Sequence, residues 1–172
     1  SSRTKKAPLP FTTSTLQQEA SKVLGFSTQK TMRLAQQLYE GIEIKGQGTT
    51  GIITYLRTDS TRVSEEARAN AAKFIADEYG EAYVAKTDDV KKDEKRIQDA
   101  HEAIRPTDVS RVPESLKDSL SRDLLRLYQL IWKRFMASQM TSTVFETLSV
   151  HIAANGYRFR VSGSKVVFDG YR

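Results

Sequence analysis

The chain has 172 residues, carries 27 lysines and arginines against 21 aspartates and glutamates, and has a formal charge of +6. A 38% hydrophobic share suffices for one sizeable core, or for a domain plus part of another. The absence of cysteine excludes disulfides and cysteine-based zinc sites and fits a reducing cytoplasm; His101 and His151, the only histidines, are too few for a protein-only zinc cluster, and no apolar run is long enough to span a membrane.

Residues 1–9, with a basic cluster and Pro8 and followed by Pro10, read as an extended connector. Ser14 and Gln17 then have capping-box spacing for a helix start. Leu16, Ala20, Val23 and Leu24 continue it at helical spacing, and Gly25 sits where it stops. Ser27 or Thr28 can cap a second helix, with Met32, Ala35, Leu38 and Tyr39 as its apolar stripe and Gly41 as its end. Lys30 and Arg33 fall on the other face, which reads equally as a groove-reading surface or as a solvated basic face. The segment 42–50, IEIKGQGTT, looks like a β-hairpin. It lacks the GK[ST] ending of a phosphate-binding loop and opens no helix.

The segment 51–62, GIITYLRTDSTR, begins as a short buried β run and turns polar without a break. Tyr55 lies near the end of the run, and in an extended chain Arg57 shares its face. A phenol beside a guanidinium suits a phosphodiester, since the phenol oxygen can attack phosphorus while the guanidinium holds the non-bridging oxygens. The plainer reading of the pair is a strand tyrosine with a bonded hydroxyl beside a surface cation.

Ser64 caps a helix over 64–79 whose inner face is Ala67, Ala71, Phe74 and Ile75. The charge-dense 81–99 reads as a mobile surface loop. In AHEAIRPT, 100–107, Pro106 stops any helix, so His101, Glu102 and Arg105 can converge at a loop end. Histidine gives or takes protons near neutrality, but a single histidine more often has a structural hydrogen bond. Glu102 and Arg105 can form an ion pair that fixes the loop. The longest helix is expected over 113–140, with Leu116, Leu120, Leu124, Leu127, Ile131 and Phe135 as its stripe; Lys133 and Arg134 suit its C-terminal dipole. From 141 the period becomes two, which predicts a three-stranded antiparallel meander around the turn Asn155-Gly156.

The opening PFTTSTLQQEA, YLRTDSTR and AHEAIRPT, in this order, resemble the type IA DNA topoisomerases, and among them the bacterial enzymes. The resemblance covers nearly the whole chain. It implies an α+β fold: a mainly helical, winged-helix-like (CAP-like) domain over 10–141, followed by part of a β-rich hinge or arch domain over 142–172, with 1–9 as a connector from that domain. It implies that Tyr55 is the nucleophile that becomes joined to a 5′ phosphate of one DNA strand. It places Arg57 at the phosphate and His101 at the active site, with Arg57, Thr58, Ser60, Arg62 and Arg105 as the DNA-binding set. Reversal of the cleavage step reseals the strand, so negative supercoils relax without ATP. The Mg²⁺ of such enzymes is held by a separate acidic domain, and no D-x-D pair stands near either motif here, so no metal ligand is expected in this chain. The implied partners are single-stranded and negatively supercoiled DNA and the remaining domains of the same enzyme, with no membrane, in a cytoplasmic, nucleoid-associated monomer. By itself the chain is expected to be inactive.

The rival is a non-catalytic winged-helix DNA-binding module. It accounts for the charge and the helix–helix–β order but leaves Tyr55, Arg57 and AHEAIRPT unexplained. A tyrosine recombinase would need further Arg/His motifs upstream of its tyrosine, which are absent.

Overall fold

The computed structural model describes residues 8–80 and 101–140. The expected loop 81–99, the meander after 141 and most of the connector 1–9 lie outside them. The described part is α+β, with four helices and one two-stranded antiparallel sheet.

Helix α1, Thr13–Glu19, begins earlier than the Ser14–Gln17 spacing predicts. Thr12 is the N-cap, because Thr12 and Thr15 close a reciprocal capping box with each other's backbone N–H. The helix ends in a wider π turn, Ala20–Leu24, and Gly25, at φ 70°, supplies the left-handed residue that stops it. Helix α2, Thr28–Glu40, is capped by Ser27 and buries Thr31, Leu34, Ala35 and Leu38. Tyr39 of the predicted stripe is exposed instead.

Strands β1, Ile42–Ile44, and β2, Gly48–Thr50, form the predicted hairpin, in register Ile42 to Thr50 and Ile44 to Gly48. Ile42 and Ile44 face the core at period two. Helix α3, Glu65–Tyr79, matches its prediction: Ser64 caps it, and Ala67, Ala71 and Ile75 are buried.

The long helix predicted over 113–140 is divided. A 3₁₀ turn, Pro113–Leu116, precedes α4, Arg122–Ser138. Ser121 takes the N–H of Leu124 and opens a new helix, while Leu116 and Leu120 remain buried although the helix between them is interrupted.

Helix α4 is the scaffold. Nine of its residues, from Leu124 to Ala137, are buried. Tyr128 Oη donates to the Arg111 carbonyl at 2.6 Å and Trp132 Nε1 to the Val109 carbonyl at 3.0 Å, which fastens the chain after the second motif to this helix. Burial and the nearby Asp108 charge push the Tyr128 hydroxyl far above its usual pKa, despite the opposing effect of Arg111. Trp132 also meets Phe74 of α3 edge-on. Lys30 of α2 pairs with Asp123 at 2.7 Å and lies over the Phe26 ring. That half of the basic face of α2 is therefore spent inside the domain. Arg134, expected only to suit the helix dipole, donates from Nε to the Leu9 carbonyl at 2.6 Å and stacks on Phe11. Lys133 is partly buried, which lowers its pKa.

Candidate active site

The segment 51–58 is held from three sides. Its start is fixed by helix α2. A helix leaves its last carbonyls without internal partners, and the Ile52 N–H donates to one of them, Leu38, at 2.9 Å. Gly51 passes so close to the Tyr39 carbonyl that a Cβ there would lie 2.5 Å from the oxygen, so only glycine fits this approach.

The middle of the segment is fixed by the second motif. Ile53 and Pro106 form an antiparallel bridge, with Thr54 N–H donating to Arg105 and Thr107 N–H to Ile52. The Thr54 hydroxyl donates to the Ala103 carbonyl at 2.8 Å and accepts the Arg105 N–H at 2.9 Å. Residues 103–107 also bridge Phe11 through Ile104 and donate to Arg62 through Ala103. The predicted strand over 51–56 is thus an extended run with one bridge, because its partner stretch is interrupted by a proline with no N–H to give.

The end of the segment is fixed by α1. The Thr13 hydroxyl donates to the Leu56 carbonyl at 2.6 Å and accepts the Thr58 N–H at 2.8 Å, and the Thr13 N–H donates to the Thr58 carbonyl at 2.9 Å. The chain bends at Leu56, whose side chain is fully buried. Strand alternation holds only in an unbent chain, so past this bend it no longer predicts a shared face for Tyr55 and Arg57. The Tyr55 ring, 47% exposed, lies edge-on to Tyr39, with centroids 5.3 Å apart. Arg57, Thr58 and Asp59 instead line a cleft of about 490 Å³ together with Thr12, Thr13, Ser14, Gln17 and His101. Arg57 and His101, 44 positions apart in the sequence, thereby meet in one cleft, with Tyr55 one residue beyond the bend that leads into it.

The other expected residues take structural places. The Thr58 hydroxyl accepts the Ser60 N–H and the Ser60 hydroxyl accepts the Arg62 N–H, so these side chains shape the loop that follows Arg57. Arg105 is committed to Glu102: Nε donates to Oε1 at 3.1 Å and Nη2 to Oε2 at 2.9 Å, while Nη1 donates to the Pro106 carbonyl. Its side chain is 14% exposed, so the expected loop-fixing ion pair is formed. Glu102 Oε1 also accepts the Ser64 N–H at 2.8 Å, joining the second motif to the start of α3. Burial raises the Glu102 pKa, but the Arg105 and Ser64 hydrogen bonds and the charges of Arg105 and Arg62 outweigh it and hold the carboxyl below its usual value.

Thr13 and Asp59 escaped the sequence reading. Only the pairing of Thr13 across more than 40 residues reveals its work. Asp59 is the acidic residue of the cleft. One carboxylate in the cleft that Arg57 and His101 line does not make a divalent-cation site, and among the described residues no group of three or more His, Asp or Glu side chains could hold a metal. The described residues thus offer no fit for Mg²⁺. Among the described residues, no helix is long and apolar enough to cross a membrane.

A family model described as DNA topoisomerase matches residues 1–172. A solved structure of full-length topoisomerase I from Thermotoga maritima is similar, with 52% sequence identity and a TM-score of 0.69. The match covers 80% of this chain and 21% of that one, so the chain spans about a fifth of that relative's length. With the two motifs stitched together around one cleft, these findings lead to a single assignment: the chain belongs to the type IA DNA topoisomerase family.

Proposed function

We propose that the chain carries the strand-cleaving half of a type IA topoisomerase active site, with Tyr55 as nucleophile. The observation that carries this reading is the convergence of Arg57 and His101 on one cleft beside a half-exposed tyrosine. The Tyr55 oxygen attacks a backbone phosphorus of single-stranded DNA and the bond from phosphorus to the 3′ oxygen breaks. The phenol proton leaves to a base, and the departing 3′ oxygen takes up a proton. The products are a 5′-phosphotyrosine and a free 3′ hydroxyl. The reverse step reseals the strand after strand passage. The ester retains the energy of the broken bond, so the relaxation of negative supercoils requires no ATP.

Arg57 neutralises the non-bridging oxygens as charge builds on them, and His101 hydrogen-bonds the phosphate or tunes the proton transfer. Because the Tyr55 ring rests on Tyr39, attack requires it to turn toward the cleft or the DNA to reach the ring. Thr58, Ser60 and Arg62 shape the strand-binding loop, and the helix–helix–hairpin order supports a winged-helix-like arrangement. Mg²⁺, which in the full enzyme screens phosphate charge, finds its ligands on other domains. We take the partners to be single-stranded and negatively supercoiled DNA and those domains, in a monomer acting in the bacterial cytoplasm.

The test is a supercoil-relaxation assay of the full-length enzyme containing this chain, with the parent sequence and with Tyr55→Phe. Relaxation lost with DNA binding retained supports the reading; a Tyr55→Phe enzyme that still relaxes DNA overturns it.

A further inference from the structure

Arg57 has no acidic partner within ion-pair distance among the described residues, so its placement comes from its backbone. Two peptide planes flank it. The plane before Arg57 carries the Leu56 carbonyl and the plane after it carries the Thr58 N–H. One hydroxyl, that of Thr13, grips both, donating to the first at 2.6 Å and accepting from the second at 2.8 Å. Peptide planes are rigid, so holding the two planes on either side of a residue fixes its φ and ψ. The Thr13 N–H adds a third bond, to the Thr58 carbonyl at 2.9 Å.

The hydroxyl is not needed elsewhere. The cap of α1 is made by Thr12 and Thr15. A threonine hydroxyl has one proton, and that of Thr13 is already given to Leu56, so it has none left to offer a phosphate. Resting on the reading of Arg57 as a phosphate-binding residue, we propose that Thr13 is a positioning residue that sets the direction from which the Arg57 guanidinium meets the scissile phosphate. A misplacement of roughly 1 Å at such a group costs on the order of 10²-fold in rate.

The experiment is a double-mutant cycle in the full-length enzyme, read as the single-turnover cleavage rate of a saturating single-stranded oligonucleotide. Thr13→Val keeps the shape and the backbone bond but removes the hydroxyl, and Thr13→Ser keeps the hydroxyl. The expected result is a loss of about 10–100-fold for Thr13→Val, with most of the rate restored in Thr13→Ser. In an Arg57→Ala background, Thr13→Val should cost no more than about twofold further, since Arg57 is no longer there to be misplaced. Oligonucleotide affinity and melting temperature, measured for each variant, separate these effects from loss of the fold. Thr13→Ala repeats the test without a methyl group beside the Leu56 carbonyl. An unchanged rate in Thr13→Val, or an equal loss with and without Arg57, overturns the inference. Arg57→Ala cleaving at the parent rate instead removes Arg57 from the chemistry and overturns the reading beneath it.

Discussion

Tyr55 differs from phenylalanine by one oxygen, and its ring is 47% exposed beside Tyr39. Tyr55→Phe should therefore leave the melting temperature and strand affinity close to the parent's, within about 0.5 kcal/mol, while abolishing covalent adduct formation. A melting curve beside an adduct assay checks both. Arg57→Ala should slow cleavage by roughly 10²–10³, the usual loss for one preorganised charge contact. Arg57→Lys should retain part of the rate, because the charge survives while the planar two-point fork does not. Equal rates for the parent and Arg57→Ala would exclude Arg57 from the site. At this scale the sequence displayed Tyr55, Arg57 and His101 through their motifs, but not how they face. The bend at Leu56 turns Arg57 into the cleft, and its clamp is a threonine 43 positions away, a separation that no local pattern records. The Glu102–Arg105 pair was legible because three-residue spacing brings the two charges within reach.

Among elements, the junction of the second motif with α3 depends on ionised Glu102, which takes N–H donors from both Ser64 and Arg105. Its folded pKa is lowered, so its stabilisation is present above the unfolded value and is lost as pH falls through the folded one. Glu102→Gln should be less stable than the parent at pH 7 by about 1–3 kcal/mol, because Arg105 loses a charged acceptor. That gap should begin to shrink as pH falls through the ordinary glutamate pKa and close only below the lower folded value, where the parent carboxyl is neutral too. Thermal melts of the two proteins from pH 7 to pH 3 measure this; a gap constant across the series would show that the charge of Glu102 is not what holds the junction. The starts of α2 and α3 were readable because Ser27 and Ser64 stand immediately before apolar periodicity. The break ahead of α4 was not, because Leu116, Leu120 and Leu124 keep helical spacing across it and all three are buried. Buried leucines at repeats of four mark one face of the core without showing whether the helix beneath them is continuous.

For the molecule as a whole, the +6 charge and the cleft with Arg57 predict electrostatic binding of single strands. The 172-residue chain by itself should fold and bind such strands weakly, with a log–log salt slope of roughly −0.7 per phosphate contacted. It should not cleave them, since its described residues hold no metal cluster and the rest of the site is proposed to lie on other domains. Titration of a labelled oligonucleotide over a salt series, followed by denaturing electrophoresis, reads both properties; salt-insensitive binding would remove phosphates as the target. The helices and the hairpin at 42–50 were legible from local spacing and turn residues, whereas the convergence of three distant segments depended on long-range backbone bonds at Phe11, Thr54 and Thr107 that leave no spacing in the sequence. The most direct measurement is the chemical identity of the protein–DNA link. Full-length enzyme is incubated with a single-stranded oligonucleotide, denatured and digested, and the nucleotide-bearing peptide is sequenced by mass spectrometry. The expected result is a 5′-phosphate ester on Tyr55; an ester on any other residue, or one formed through a 3′ phosphate, would contradict it.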